Sequence, residues 1–296
     1  MVDAAQDAGL PPLDQITVAE ARERSRRRRL LLADGPDVAQ VSALQIPTPA
    51  GPTDARYFVP LEPPAGLLVY FHGGGWVVGD INDYDPLCRM LATACGTTVL
   101  NVGYRLAPEH PFPAAADDAY AATRWAAENL PGGERLVLLG DSAGGNLVAV
   151  CTQEAKRRGG PPIAFQVLVY PVTDHDFGRS SYDEHGSGYL LGRDDMAWFW
   201  NHYVPDAAQR DDPRASPLRA RDLSRLPPAL FVIAEYDPLR DEGLEYARAL
   251  ARAGVAVDVE HYDDVIHGFF GLATYAERGD QAVARVGEAV RAALAA

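Results

Sequence analysis

The chain has 296 residues, of which 47% are hydrophobic, enough apolar material for one large core or for a core with a small cap. Its formal net charge of −14 repels phosphate backbones, so nucleic-acid binding is disfavoured from the start. Three cysteines without CxxC spacing point to a reducing compartment and away from zinc.

The first fifty residues read as helical and amphipathic. They include one basic stretch, ARERSRRRRLLL (Ala21 to Leu32), which reads as a solvated helix face. The N-terminal MVDAAQDAGLPPLDQ carries acids and prolines but no apolar targeting core. No apolar run approaches the ~18 residues of a membrane span. The expectation is a soluble cytoplasmic protein, monomer or homodimer. A proline-rich passage, IPTPAGPTDARYFVPLEPPAG, follows.

From there short apolar runs alternate with helical patterns. GLLVYFH (Gly66 to His72) reads as a buried strand, DPLCRMLATACG as a helix ending at Gly96, and TTVLNVGY as the next strand. The helix would carry Cys88 and Cys95 about 10 Å apart along its axis, too far for a disulfide. FPAAADDAYAATRWAAENL is helical, RLVLLGD a strand, SAGGNLVAVCTQEAKRRGG a helix stopped by paired glycines, and AFQVLVYP a strand. Continuous apolar strands separated by helices imply a mostly parallel sheet covered on both faces. The rhythm breaks between Asp174 and Pro217, where aromatics cluster without strand signals, and resumes with PALFVIAEYD, a helix from about Gly243 to Arg252, VAVDVEHYDD and a final alanine-rich helix. The fold class is therefore α/β. A helical insertion near residues 180–215, with helices in residues 1–50, forms a cap over a core spanning 51–296, at the sheet edge where open α/β sheets place ligands.

Gly140-Asp141-Ser142-Ala143-Gly144 matches G-x-S-x-G between a strand and a helix, the context of a nucleophile elbow. The competing reading is that Asp141 or Ser142 only caps the helix. A second glycine run, Gly73-Gly74-Gly75, follows the Gly66 to His72 strand and can present backbone N–H groups to a developing oxyanion. It is not a phosphate loop, since neither GxxxxGK[ST] nor GxGxxG is present. His72 reads as a residue orienting this loop. A serine nucleophile needs a base and an orienting acid, here expected in the order Ser, Asp/Glu, His. Asp237 ends a late strand, with Glu235 competing two residues earlier, and His267 follows the last strand. Asp241 and Glu242 read as the start of a helix, Asp263 and Asp264 as turn acids, and His261 as a strand residue.

Together HGGGWVVGD, YRLAPEHPFPAAADD, GDSAGGN, YDPLRDEG and IHGF resemble the bacterial hormone-sensitive lipase-like esterases, in the GDSAG subgroup of the α/β-hydrolase superfamily. The likeness runs from about Gly66 to Phe270. It implies an α/β-hydrolase core with a helical cap, Ser142 as nucleophile, His267 as base and Asp237 as acid. It implies the N–H groups of Gly73, Gly74 and Ala143 as the oxyanion hole. The implied activity is hydrolysis of small carboxylic esters of short to medium acyl chain, with no metal or organic cofactor. Trp76, Trp198, Phe199, Tyr203, Phe269 and Phe270 are candidates for the substrate pocket. Arg105 and Glu109 read as an ion pair inside a rigid, proline-rich loop. An amidase or peptidase on the same fold, or a receptor on an inactive hydrolase scaffold, would share part of this pattern.

Overall fold

The structure is a computed structural model that describes residues 11–29 and 33–296. The beginning of the expected N-terminal cap and the leucines closing the basic stretch lie outside the described residues. The helix α1 (Val18–Arg29) comes first. Strands β1 (Gln40–Thr48) and β2 (Gly51–Val59) form an antiparallel hairpin. Then β3 (Leu67–Phe71), α2 (Asp85–Cys95), β4 (Thr98–Val102), α3 (Ala114–Asn129), β5 (Leu136–Asp141), α4 (Ala143–Arg158) and β6 (Ile163–Val169) alternate as the apolar pattern predicts. The insertion carries α5 (Ser180–His185) and α6 (Arg193–Tyr203). The chain closes with β7 (Ala229–Tyr236), α7 (Arg240–Arg252), β8 (Val257–Ile266) and α8 (Glu277–Ala295).

The strands form one eight-stranded sheet in the order β1-β2-β4-β3-β5-β6-β7-β8, parallel from β4 to β8 and antiparallel where β2 joins β1 and β4. Strands β3, β4 and β5 are buried along their whole length, which is why they read as unbroken apolar runs. Period-two alternation still sorts their side chains. Leu67, Val69 and Phe71 of β3 join one core with α3, α4 and α7, while Leu68 and Tyr70 join the opposite core with α2 and α8.

The hairpin corrects the reading of residues 40–48 as helical. Within it Pro47 and Pro52, which have no N–H to donate, stand opposite each other across the hairpin. β1 is an edge strand, and β2 meets β4 only over Ala55–Phe58. Cys88, Cys95 and Cys151 are free and buried. Burial pushes the thiols of Cys95 and Cys151 up to about 12, so they are inert packing groups. Among the described residues, no helix is long and apolar enough to cross a membrane.

Candidate active site

At the carboxyl end of β5 the chain turns sharply into α4. Ser142 occupies this turn with φ 56° and ψ −118°, a conformation an L-residue seldom adopts unless its surroundings enforce it. Its N–H donates to Val169 O at 2.8 Å, and its carbonyl accepts from Asn146 and Val172 N–H at 3.1 and 3.2 Å. Gly144 lies so close to β3 that a Cβ there would run into the Phe71 carbonyl. Ser142 holds the N-cap position, yet its side chain makes no capping hydrogen bond. The hydroxyl is committed elsewhere, which disposes of the capping alternative.

Its partner is His267, just beyond β8. His267 Nε2 lies 3.1 Å from Ser142 Oγ, and His267 Nδ1 lies 2.7 Å from Asp237 Oδ2. A proton on Nδ1 facing the carboxylate leaves Nε2 to accept from the serine. Asp237 is fully buried, and its other oxygen accepts the Leu239 N–H at 2.8 Å. The Tyr170 ring packs on the imidazole, 4.5 Å between centroids. Glu235 is ruled out as the partner, since its oxygens bind Arg240 at 2.7 Å and His261 at 2.8 Å. Asn146, not assigned a role in the sequence, donates to the carbonyls of Val172 and Ala215 at 3.0 and 2.9 Å. It thus fastens the start of α4 to the segments after β6 and after α6.

The loop after β3 stands beside this turn. His72 lies between Tyr84 and Tyr104, ring centroids 5.0 and 4.5 Å away, and its Nδ1 donates to Gly73 O at 2.7 Å. It orients the loop, as its position implied. Gly73 corrects the sequence reading. Its N–H donates to Asp141 Oδ1 at 2.9 Å, and Tyr70 OH donates to the same oxygen at 2.5 Å. An N–H already spent on a buried carboxylate cannot also serve an oxyanion. Among the described residues, the N–H groups of Gly74, Gly75 and Ala143 make no such bond. Gly75 was missed. It lies in the same glycine run with φ +58°, and a Cβ on it would strike the Phe199 ring.

The aromatic candidates divide. Trp76 and Tyr203 stack at 4.1 Å with Trp200 edge-on to Trp76, and both are fully buried. Phe269 and Phe270 are fully buried in the core shared with α2 and α8. A side chain with no accessible surface offers no face to a ligand, so these four are packing residues. Phe199 lies against Gly75, with Trp198 edge-on to it at 5.2 Å and partly exposed. Arg105 also departs from expectation. It binds buried Asp118 through two nitrogens at 2.7 and 2.8 Å, while Glu109 pairs with Arg22.

A mostly parallel eight-stranded sheet, with serine, histidine and carboxylate meeting at its carboxyl edge, defines an α/β hydrolase. A family model described as the alpha/beta hydrolase fold matches residues 68–271. The chain is 44% identical over 278 residues to the carboxylic ester hydrolase LipN of Mycobacterium tuberculosis, covering 89% of this chain and 73% of that protein. It is 40% identical to an ethyl acetate hydrolase of Pseudomonas putida, covering 98% and 95%. Among solved structures, an esterase of Pyrobaculum calidifontis superposes with a TM-score of 0.91 at 38% identity, covering 98% of this chain and 97% of that one. The chain belongs to the α/β-hydrolase family, in its hormone-sensitive lipase-like group of esterases.

Proposed function

We propose that the chain is a carboxylic-ester hydrolase in which Ser142, His267 and Asp237 form the catalytic triad. The observation that carries this reading is the unbroken relay from Ser142 Oγ through His267 to buried Asp237, built on a strained turn. His267 Nε2 takes the Ser142 proton as Oγ attacks the ester carbonyl. Asp237 fixes the imidazole tautomer and stabilises the cation that forms. The N–H groups of Gly74, Gly75 and Ala143 receive the oxyanion, helped by the positive end of α4. His267 then protonates the departing alcohol, and later activates water to release the acid and regenerate Ser142.

In this reading α1 and the α5–α6 insertion make the cap. Leu190 reaches to Gly268 beside His267, and Phe199 reaches to Gly75. Ser142 and His267 retain only 7% and 9% exposure. Such closeness favours small esters of short to medium acyl chain over bulky lipids. Ser142→Ala is expected to abolish turnover of p-nitrophenyl butyrate and covalent labelling by an organophosphonate. Unchanged turnover in that variant overturns the triad. Faster hydrolysis of p-nitrophenyl palmitate than of the acetate or butyrate overturns the chain-length reading alone.

A further inference from the structure

The loop Gly73–Asp80 must hold two glycine N–H groups still, and its own backbone helps only from one side. Val77 and Val78 N–H both turn back to Gly74 O, at 3.1 and 2.9 Å. Its other side is gripped from α1 by one side chain. Arg22 Nε donates to Val77 O at 2.9 Å, and Arg22 Nη2 donates to Ala107 O at 3.0 Å. The same guanidinium meets Glu109 through Nη1 and Nη2, at 2.8 and 2.7 Å. Ala107 N–H in turn donates to Trp76 O at 2.9 Å, so both carbonyl contacts of Arg22 converge on one stretch, Trp76–Val77. That stretch directly follows Gly75. Trp76 itself is held at φ +60°, unusual for a bulky residue and persistent only where neighbours enforce it.

The two kinds of contact differ in worth. Glu109 is more than half exposed, so its pairing with Arg22 is screened by water and salt. The carbonyl bonds are partly buried and directional. They need a planar fork with several donors at fixed angles, which an ammonium group does not have. Apolar contact seats α1 only lightly. Leu13 and Ala21 are buried and Ile16 and Val18 partly so, while Glu20, Arg26 and Arg27 face water and Glu23 and Arg24 lie half-buried.

We propose that Arg22 is a positioning residue for the oxyanion hole: by bridging α1 to the carbonyls of Val77 and Ala107 it fixes the loop whose Gly74 and Gly75 N–H groups receive the transition state. Seating of the N-terminal helix and catalytic competence are then one event. A chain with α1 displaced keeps its triad and loses its oxyanion geometry. This rests on the ester-hydrolase reading above.

The experiment compares wild type with Arg22→Ala, Arg22→Lys and Glu109→Gln on p-nitrophenyl butyrate. Active sites are titrated with an organophosphonate, so that kcat refers to intact Ser142. A contact that acts only in the transition state lowers kcat and leaves KM nearly unchanged. Arg22→Ala should lower kcat per titrated site by about 10- to 100-fold, at or below the effect of losing one oxyanion donor. Arg22→Lys should recover only part of that loss. Glu109→Gln should stay within about twofold of wild type, because the carbonyl bridge survives it. A merely structural role would reduce the number of titratable sites and leave kcat per site alone. Wild-type kcat per site in Arg22→Ala, a loss confined to KM, or a Glu109→Gln defect equal to that of Arg22→Ala would overturn the proposal. Should Arg22→Ala fail to accumulate folded, Arg22→Lys decides: a kcat loss supports it and a wild-type kcat sinks it. Turnover surviving in Ser142→Ala refutes the ester-hydrolase reading itself. An inactive Ser142→Ala beside an unimpaired Arg22→Ala refutes only the role of Arg22.

Discussion

The Ser142 turn and the Gly73–Asp80 loop leave neighbouring parallel strands, β5 and β3, yet they are held in opposite ways. Main chain holds the turn. Ser142 is bonded through its own N–H and carbonyl to Val169, Val172 and Asn146, and Gly144 presses against the Phe71 carbonyl. Side chains borrowed from elsewhere hold the loop: Asp141 on Gly73 N–H, Tyr84 and His72 on Gly73 O, and Arg22 on Val77 O. Main-chain contacts survive most substitutions, because nearly every residue supplies the same groups. Side-chain contacts can be deleted one at a time. The proposed nucleophile, Ser142, is therefore a fixed point of the fold, and the proposed oxyanion donors are its adjustable part.

The largest expected effect tests the fixed point. Gly144→Ala adds a Cβ where β3 and α4 meet backbone to backbone, and neither element has a flexible side chain to yield. Overpacking usually costs about 1–3 kcal/mol, and a clash with a carbonyl belongs at or above the top of that range. Urea unfolding should show it, or the variant should fail to accumulate. Wild-type stability would mean the turn is softer than its contacts imply. Next comes the loop. Asp141→Ala leaves the buried Gly73 N–H and Tyr70 hydroxyl without their acceptor, about 1–3 kcal/mol for each. It should also lower kcat per phosphonate-titrated site, because it frees the first residue of the glycine run. Tyr70→Phe keeps the bond from Asp141 to Gly73 and should lose stability alone. Equal kcat losses in the two variants would show that Gly73 does not set the loop.

The same contrast explains what could be read from the residues. The turn is specified within a few positions, so Gly140, Ser142 and Gly144 announce it, and the strand before them confirms its setting. Asp237 and His267 follow from their strand ends in chain order, and the structure brings both to Ser142. The loop is specified by Asp141, sixty-eight positions after Gly73, and by Arg22, fifty-five before Val77. No local pattern carries such distances, so the run Gly73–Gly75 announces backbone N–H groups but not that Gly73 spends its own on Asp141. Arg105 and Glu109 mislead for the same reason: each finds a partner outside its own loop, in Asp118 and Arg22. Aromatic residues give a third kind of blindness. Composition places Trp76, Tyr203, Phe269 and Phe270 near the site but cannot tell a wall from the packing behind it.

The smallest effect probes a place where, beside Asn146, a second side chain reaches the support of the turn. Glu242, fully buried at the start of α7, accepts the N–H groups of Thr173 and Asp174 at 2.7 and 3.3 Å. These residues adjoin Val172, whose N–H holds the Ser142 carbonyl. Burial pushes the Glu242 carboxyl up to about 8, with Asp174 adding to the rise, against the pull of those N–H groups and of Arg179. Between its ordinary 4.5 and about 8 the folded chain keeps a proton that the unfolded chain has released. Its contribution to stability is therefore full below about 4.5 and is lost as pH rises through about 8. Glu242→Gln preserves the shape and the Oε1 acceptor but never ionises. Its stability relative to wild type should rise between about pH 5 and about pH 9 in urea unfolding. A gap that does not change with pH would mean that Arg179 keeps the carboxylate charged in the fold. If the turn is held by main chain, kcat per titrated site should match wild type at pH 7. A fall in that value, in a variant that unfolds no more easily, would place Ser142 under side-chain control and erase the distinction between turn and loop.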